Sequence, residues 1–184
     1  MNKPTLGLIA SFTLISAVAF ATEPQDATEN APEANPACSE APFRDFDFWV
    51  GTWDVHTPAG QLAGRNVISS EEGGCLLVER WTSASGGTGQ SYNYVDLDTG
   101  EWRQIWVSPG MTINYAGGLD ENGVMRLEGR IAYGAAPQNN GPFRGAWELK
   151  EDGTVEQTFH QQNPETEEWV PWFTGIYSKV EAKK

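Results

Sequence analysis

Three short stretches of this chain carry, at alternate positions, side chains that orient ligands or move protons. Glu79 and Trp81 stand two apart, as do Ser91 and Asn93, and Trp102, Gln104 and Trp106 follow the same spacing. Side chains two apart on a β-strand share a face. Three neighbouring strands with this pattern set a carboxylate, two carboxamides, a hydroxyl and several indoles on one side. A small-molecule site has that make-up, mostly apolar with a few placed polar groups. Glu79, Trp81, Ser91, Asn93, Trp102, Gln104 and Trp106 therefore form the candidate ligand-binding set. The same residues also read as a barrel core whose polar groups satisfy one another. The sequence leaves both readings open.

Glu79 is the group with the most chemistry. Burial raises a carboxylate pKa and can make it a general base. A salt bridge or a hydrogen bond to its neighbours is the reading preferred to that role. No second carboxylate at glycosidase spacing accompanies it, and no Gly-x-Ser-x-Gly elbow occurs. Gly86-Gly87-Thr88-Gly89 lacks the lysine of a phosphate-binding loop. His56 and His160 are the only histidines, and the two cysteines do not form a Cys-x-x-Cys pair. A zinc site is not expected. A lone strand histidine is a weak basis for haem. No catalytic residue, metal or cofactor is assigned.

The elements that must position the set are strands. Candidates are Val50–Thr57, Gln61–Ser69, Cys75–Thr82, Gln90–Asp96, Glu101–Ser108, Met111–Gly118, Val124–Tyr133, Phe143–Leu149, Thr154–Gln162 and Trp169–Val180. Turn chemistry separates them, as in Asp98-Thr99-Gly100, Asp120-Glu121-Asn122-Gly123 and Glu151-Asp152-Gly153. Short hairpins in succession point to a meander, and closing a meander removes its edges. The expected fold is all-β: an antiparallel up-and-down barrel of about 8–10 strands. A two-sheet sandwich is the alternative. Phe43-Arg44-Asp45-Phe46-Asp47-Phe48-Trp49 is spaced for a single helical turn that plugs one end of the core.

The N-terminus reads as an export signal. Lys3 is followed by an uncharged stretch from Leu6 to Ala21 that closes with Ala19-Phe20-Ala21, a small-x-small cleavage pattern. Residues 1–21 are expected to be removed, which places the protein in the periplasm or outside the cell. Residues 22–42 hold four prolines and five acids and no aromatic residue, and read as a disordered acidic linker. Its 22–37 part is a tether, with order expected to begin near Cys38. Residues 43–184 form one barrel domain. The whole chain has 12 basic and 25 acidic residues, a net charge of −13. Removing Lys3 leaves 11 against 25, or −14. That balance offers no footprint for nucleic acid and no attraction to anionic lipid. The uncharged run is short for a span, and no membrane span is expected in the mature chain. An even pair of cysteines in an oxidising compartment favours a Cys38–Cys75 disulfide.

Phe46-Asp47-Phe48-Trp49-Val50-Gly51-Thr52-Trp53-Asp54-Val55 resembles the opening of DUF1579-type bacterial proteins. So do Gly74-Cys75-Leu76-Leu77-Val78-Glu79-Arg80-Trp81, the Ser91-x-Asn93-Tyr94-x-Asp96 segment, Trp102-x-Gln104-x-Trp106-Val107 and Phe173-x-Gly175-x-Tyr177. The resemblance spans most of residues 38–180. It implies an exported lipocalin/calycin-like barrel of unknown function, and a cysteine before the opening motif fits a Cys38–Cys75 bridge. It carries over no catalytic residues. The expectation is a barrel that binds a small, partly apolar ligand. An isomerase or hydrolase using Glu79 as base, and a non-catalytic envelope interaction protein, are the alternatives.

Overall fold

Side chains alternate between inward and outward faces along ten segments, and each forms a strand in the computed structural model, which describes residues 38–180. The strands are β1 (Gly51–His56), β2 (Leu62–Glu71), β3 (Leu76–Ser83), β4 (Thr88–Val95) and β5 (Trp102–Ser108). They continue as β6 (Met111–Leu119), β7 (Val124–Tyr133), β8 (Gly141–Leu149), β9 (Val155–Gln162) and β10 (Trp169–Lys179). Each pairs antiparallel with the next, and β10 pairs with β1, closing the barrel. This is an up-and-down, lipocalin-like architecture, and closure leaves no unpaired edge. Ten strands enclose a wider bore than eight, since barrel diameter grows with strand number.

The register decides which side chains meet inside. Glu79 lies opposite Ser91, and Ser91 opposite Trp106. Asn93 lies opposite Gln104, and Gln104 opposite Tyr115. A slip of one residue would turn each of these to solvent. The hairpins on one end of the barrel resist such a slip through aspartate turns. Asp120 Oδ1 accepts from the Asn122 and Val124 amides, both at 2.9 Å. Its Oδ2 accepts from Arg126 Nε at 2.6 Å, tying the turn to the next strand. Asp96 does the same with the Asp98 amide and Arg103.

That end of the barrel is filled. A 3-10 turn, Asp47–Trp49, follows a tight run of turns from Ala41. Phe46 and Trp49 are fully buried and stack at 4.8 Å. Phe46 also meets the edges of Trp102 and Trp147, at 5.6 and 5.3 Å. The plug turn expected from the aromatic spacing is thus present. It is anchored by Trp53 Nε1 donating to the Trp49 carbonyl at 2.8 Å, and by Trp102 Nε1 donating to the Pro42 carbonyl at 3.0 Å.

A disulfide joins Cys38 to Cys75, with Cα atoms 5.2 Å apart. Cys75 follows the β2–β3 turn, so the bridge fastens the start of the plug segment to the barrel rim. Residues 38–42 are tied to the barrel at both ends, by the buried Cys38 and by the Pro42 carbonyl, while residues 39–41 are exposed. The expected leader and the 22–37 tether lie outside the described residues. No helix among the described residues is long and apolar enough to cross a membrane.

The bridge closes a loop of 37 residues, which the chain-entropy treatment values at about 3–4 kcal/mol. Replacing both cysteines with serine is expected to lower unfolding free energy by about that amount in urea titration. An unchanged midpoint would show that the bridge does not hold the plug.

Candidate functional site

The opposite end of the barrel is not filled. A cavity of about 410 Å³ opens there, bounded at its mouth by Ser83 and Gly87 from the β3–β4 turn region and by Ser108 and Pro109 from β5–β6. Its walls are aromatic: Trp81, Trp106, Phe159, Trp172 and Phe173. Its polar floor comes from Glu79, Gln104, Tyr115, Gln157 and Tyr177.

Glycines let the wall indoles lie flat. A Cβ on Gly89 would stand 2.1 Å from Trp106 Cζ2, and one on Gly64 would stand 2.6 Å from Trp81 Cη2. No real Cβ approaches that closely, so each ring lies over the backbone of the adjoining strand. Trp172 reaches the mouth by another device. The β9–β10 register shifts between Pro171 and Phe173, so Trp172 is the extra residue of a bulge. Bulges at barrel rims re-aim side chains in this way. Trp172 Nε1 donates to Tyr133 Oη at 3.1 Å, and its ring meets Phe143 edge-on at 5.5 Å.

The floor is one connected polar chain whose donors converge on Glu79. Tyr115 Oη donates to Gln104 Oε1, and Gln104 Nε2 donates to Asn93 Oδ1. Asn93 Nδ2 donates to Ser91 Oγ at 2.9 Å, and Ser91 Oγ donates to Glu79 Oε2 at 2.6 Å. From the other side, Asn66 Nδ2 donates to Glu79 Oε1 at 2.6 Å. Asn66 Nδ2 also contacts Tyr177 Oη at 3.3 Å, and Tyr177 Oη donates to Gln157 Oε1 at 2.7 Å. Asn93 is further held by the Leu77 carbonyl, to which Nδ2 donates at 3.0 Å.

Glu79 is 4% exposed, and both partners of its carboxylate are neutral. Burial pushes its pKa up to about 7, against the lowering effect of the Ser91 and Asn66 hydrogen bonds. Tyr115 and Tyr177 are raised well above 10, first by burial and then by the charge of Glu79. Trp106 Nε1 and Asn66 Oδ1 are buried with no hydrogen-bond partner among the described residues.

The seven residues singled out from sequence divide into three groups. Glu79, Trp81, Gln104 and Trp106 line the cavity. Ser91 and Asn93 are fully buried behind it and hold Glu79 and Gln104 in place. Trp102 faces inward but lies at the plugged end, packed against Phe46, and is not on the cavity wall. Sequence reasoning missed Asn66, Tyr115, Gln157 and Tyr177. The alternation on β2, β6, β9 and β10 carries the signal for all four, because each falls on its strand's inward phase. His56 and His160 fall on the outward phase, and neither lines the cavity. Among the described residues, no three His, Cys, Asp or Glu side chains gather at metal-binding distance.

No family model matches the chain, and no curated protein matches it.

Glu79 makes stability depend on pH. Below pH 4.5 it carries its proton whether the chain is folded or not. Between 4.5 and about 7 the unfolded chain releases that proton while the folded chain keeps it, so stability falls as pH rises. The loss is complete above 7, at about 3 kcal/mol. Glu79→Gln has no proton to release, and its amide can donate to Ser91 Oγ while its carbonyl accepts from Asn66. The variant is expected to gain on the parent by about 3 kcal/mol between pH 4.5 and the range above 7, measured by urea unfolding. A constant difference would mean that Glu79 is not buried as described.

Proposed function

We propose that this chain is an exported binding barrel for a small, partly apolar ligand, related to the DUF1579-type proteins that its motifs resemble. The observation that carries the reading is the cavity at one end of an otherwise filled barrel. At about 410 Å³, it falls within the range of small-molecule sites, roughly 300–1,000 Å³. Indole and phenyl walls supply contact area, and a preorganised polar floor supplies orientation. Floor residues already fixed by one another lose little freedom when a ligand arrives. The disulfide and the leader-like N-terminus support export, because disulfides persist in oxidising compartments.

A general-base role for Glu79 draws on the same carboxylate, which reaches the cavity with a pKa of about 7. Binding is the better-supported reading. Apart from Glu79, the ionisable groups on the cavity wall are Tyr115 and Tyr177. Both keep their protons well above pH 10, so neither pairs with Glu79 as an acid near neutrality.

The test is native mass spectrometry of protein from its own host, joined to tryptophan fluorescence against a panel of metabolites and fatty acids. A co-purifying small molecule or a saturable fluorescence change is expected. Replacing Trp106 with leucine should weaken that binding about tenfold through lost aromatic contact. Protein that carries nothing, and a panel that moves neither fluorescence nor Tm, would overturn the binding reading.

A further inference from the structure

The charge pattern of the cavity narrows the class of ligand, provided that the binding reading holds. Among the lining residues, Glu79 is the one acid, and there is no lysine, arginine or histidine. The groups facing Glu79 are Asn66 from β2, Ser91 from β4, Tyr115 from β6 and Tyr177 from β10. All are neutral near pH 7. An ionised carboxylate offers about four acceptor positions, and the two neutral donors at 2.6 Å occupy one on each oxygen. Each oxygen therefore has acceptor capacity left, and Glu79 lies on the cavity wall.

The walls have the same preference. The faces of Trp81, Trp106 and Trp172 carry the negative side of an aromatic quadrupole, which attracts organic cations and disfavours anions. A chain of net charge −13 also concentrates cations at its surface. An anionic ligand would meet Glu79 with nothing to offset it. A neutral ligand would leave the buried carboxylate without a counter-charge.

We propose that the cavity selects small organic cations. The ammonium of an aromatic or aliphatic amine would sit against the Glu79 carboxylate, and its apolar body would lie among Trp81, Trp106 and Trp172. The pairing is non-covalent, and the proton stays on the amine. Trp106 and Trp172 set the size of the body that fits, while Glu79 sets its charge.

Isothermal titration with three probes of one shape tests this: para-phenylbenzylamine, para-phenylbenzyl alcohol and para-phenylbenzoate. The amine is expected to bind at least about tenfold more tightly than the alcohol, with the benzoate weakest. Glu79→Gln should erase the preference for the amine over the alcohol. If that variant does not fold, the parent protein still gives a readout. Affinity for the amine should fall about tenfold for each pH unit below 7, as Glu79 takes up its proton, while affinity for the alcohol stays flat. Circular dichroism at each pH checks that the fold persists. Equal or tighter binding of the alcohol or the benzoate would overturn the cation assignment and leave the binding reading standing. No binding of any probe, with tryptophan fluorescence unmoved by the broader panel as well, would overturn both.

Discussion

Taking a carboxylate out of water costs several kcal/mol, and proteins commonly offset that with an arginine or lysine. Glu79 has neither. Its offset comes from two neutral donors, each supported in turn: Ser91 by Asn93, Asn93 by Gln104, Gln104 by Tyr115, and Asn66 beside Tyr177 and Gln157. Such a chain works only when every member is placed, because a half-satisfied buried network is worse than an apolar core. The strand register and the barrel closure are therefore electrostatic requirements as well as packing ones. β2 must pair in register with β3 for Asn66 to reach the carboxylate. Closure of the meander through β1 then brings Tyr177 of β10 to Asn66.

The barrel divides its bore between two tasks. The aromatic turn, Trp102 and Trp147 fill one end, and the disulfide fixes that turn to the rim. With one end sealed, the strands can leave space at the other without the interior collapsing. Inward glycines are the complement of that space. Gly64 and Gly89 lower the wall so that Trp81 and Trp106 lie along it instead of crossing the bore. The aromatic content thus serves two ends: densely packed at the plug, spread as a lining at the mouth.

Much of this was legible in the sequence. The ten strands and their turns follow from alternation and from Asp-Gly turn chemistry, and the plug follows from four aromatics in seven residues. The inward phase of Glu79, Ser91, Asn93 and Gln104 could also be read. Depth along the bore could not. Trp102 and Trp106 share a face and a strand, yet one seals the plug and the other walls the cavity. Period-two patterning fixes the face of a residue and is silent on its height. Asn66, Tyr115 and Tyr177 were passed over for a related reason. Alternation gives their inward phase but not their partners: Asn66 meets Glu79 from the adjoining β2, Tyr115 joins through Gln104, and Tyr177 on β10 arrives only after closure. Trp172 escaped because a bulge re-aims it, and alternation fails where a strand carries an extra residue.

One carboxylate is buried without a counter-cation on the wall of a cavity. Infrared difference spectroscopy across pH measures this most directly, through the carbonyl stretch of a protonated carboxylic acid. A single buried carboxyl is expected to lose its proton near pH 7, and its band is expected to be missing from Glu79→Gln. If every carboxyl in the folded protein titrates in the ordinary range, about 3.5–4.5, Glu79 is instead solvated or paired with a cation, and the buried, uncompensated carboxylate does not exist.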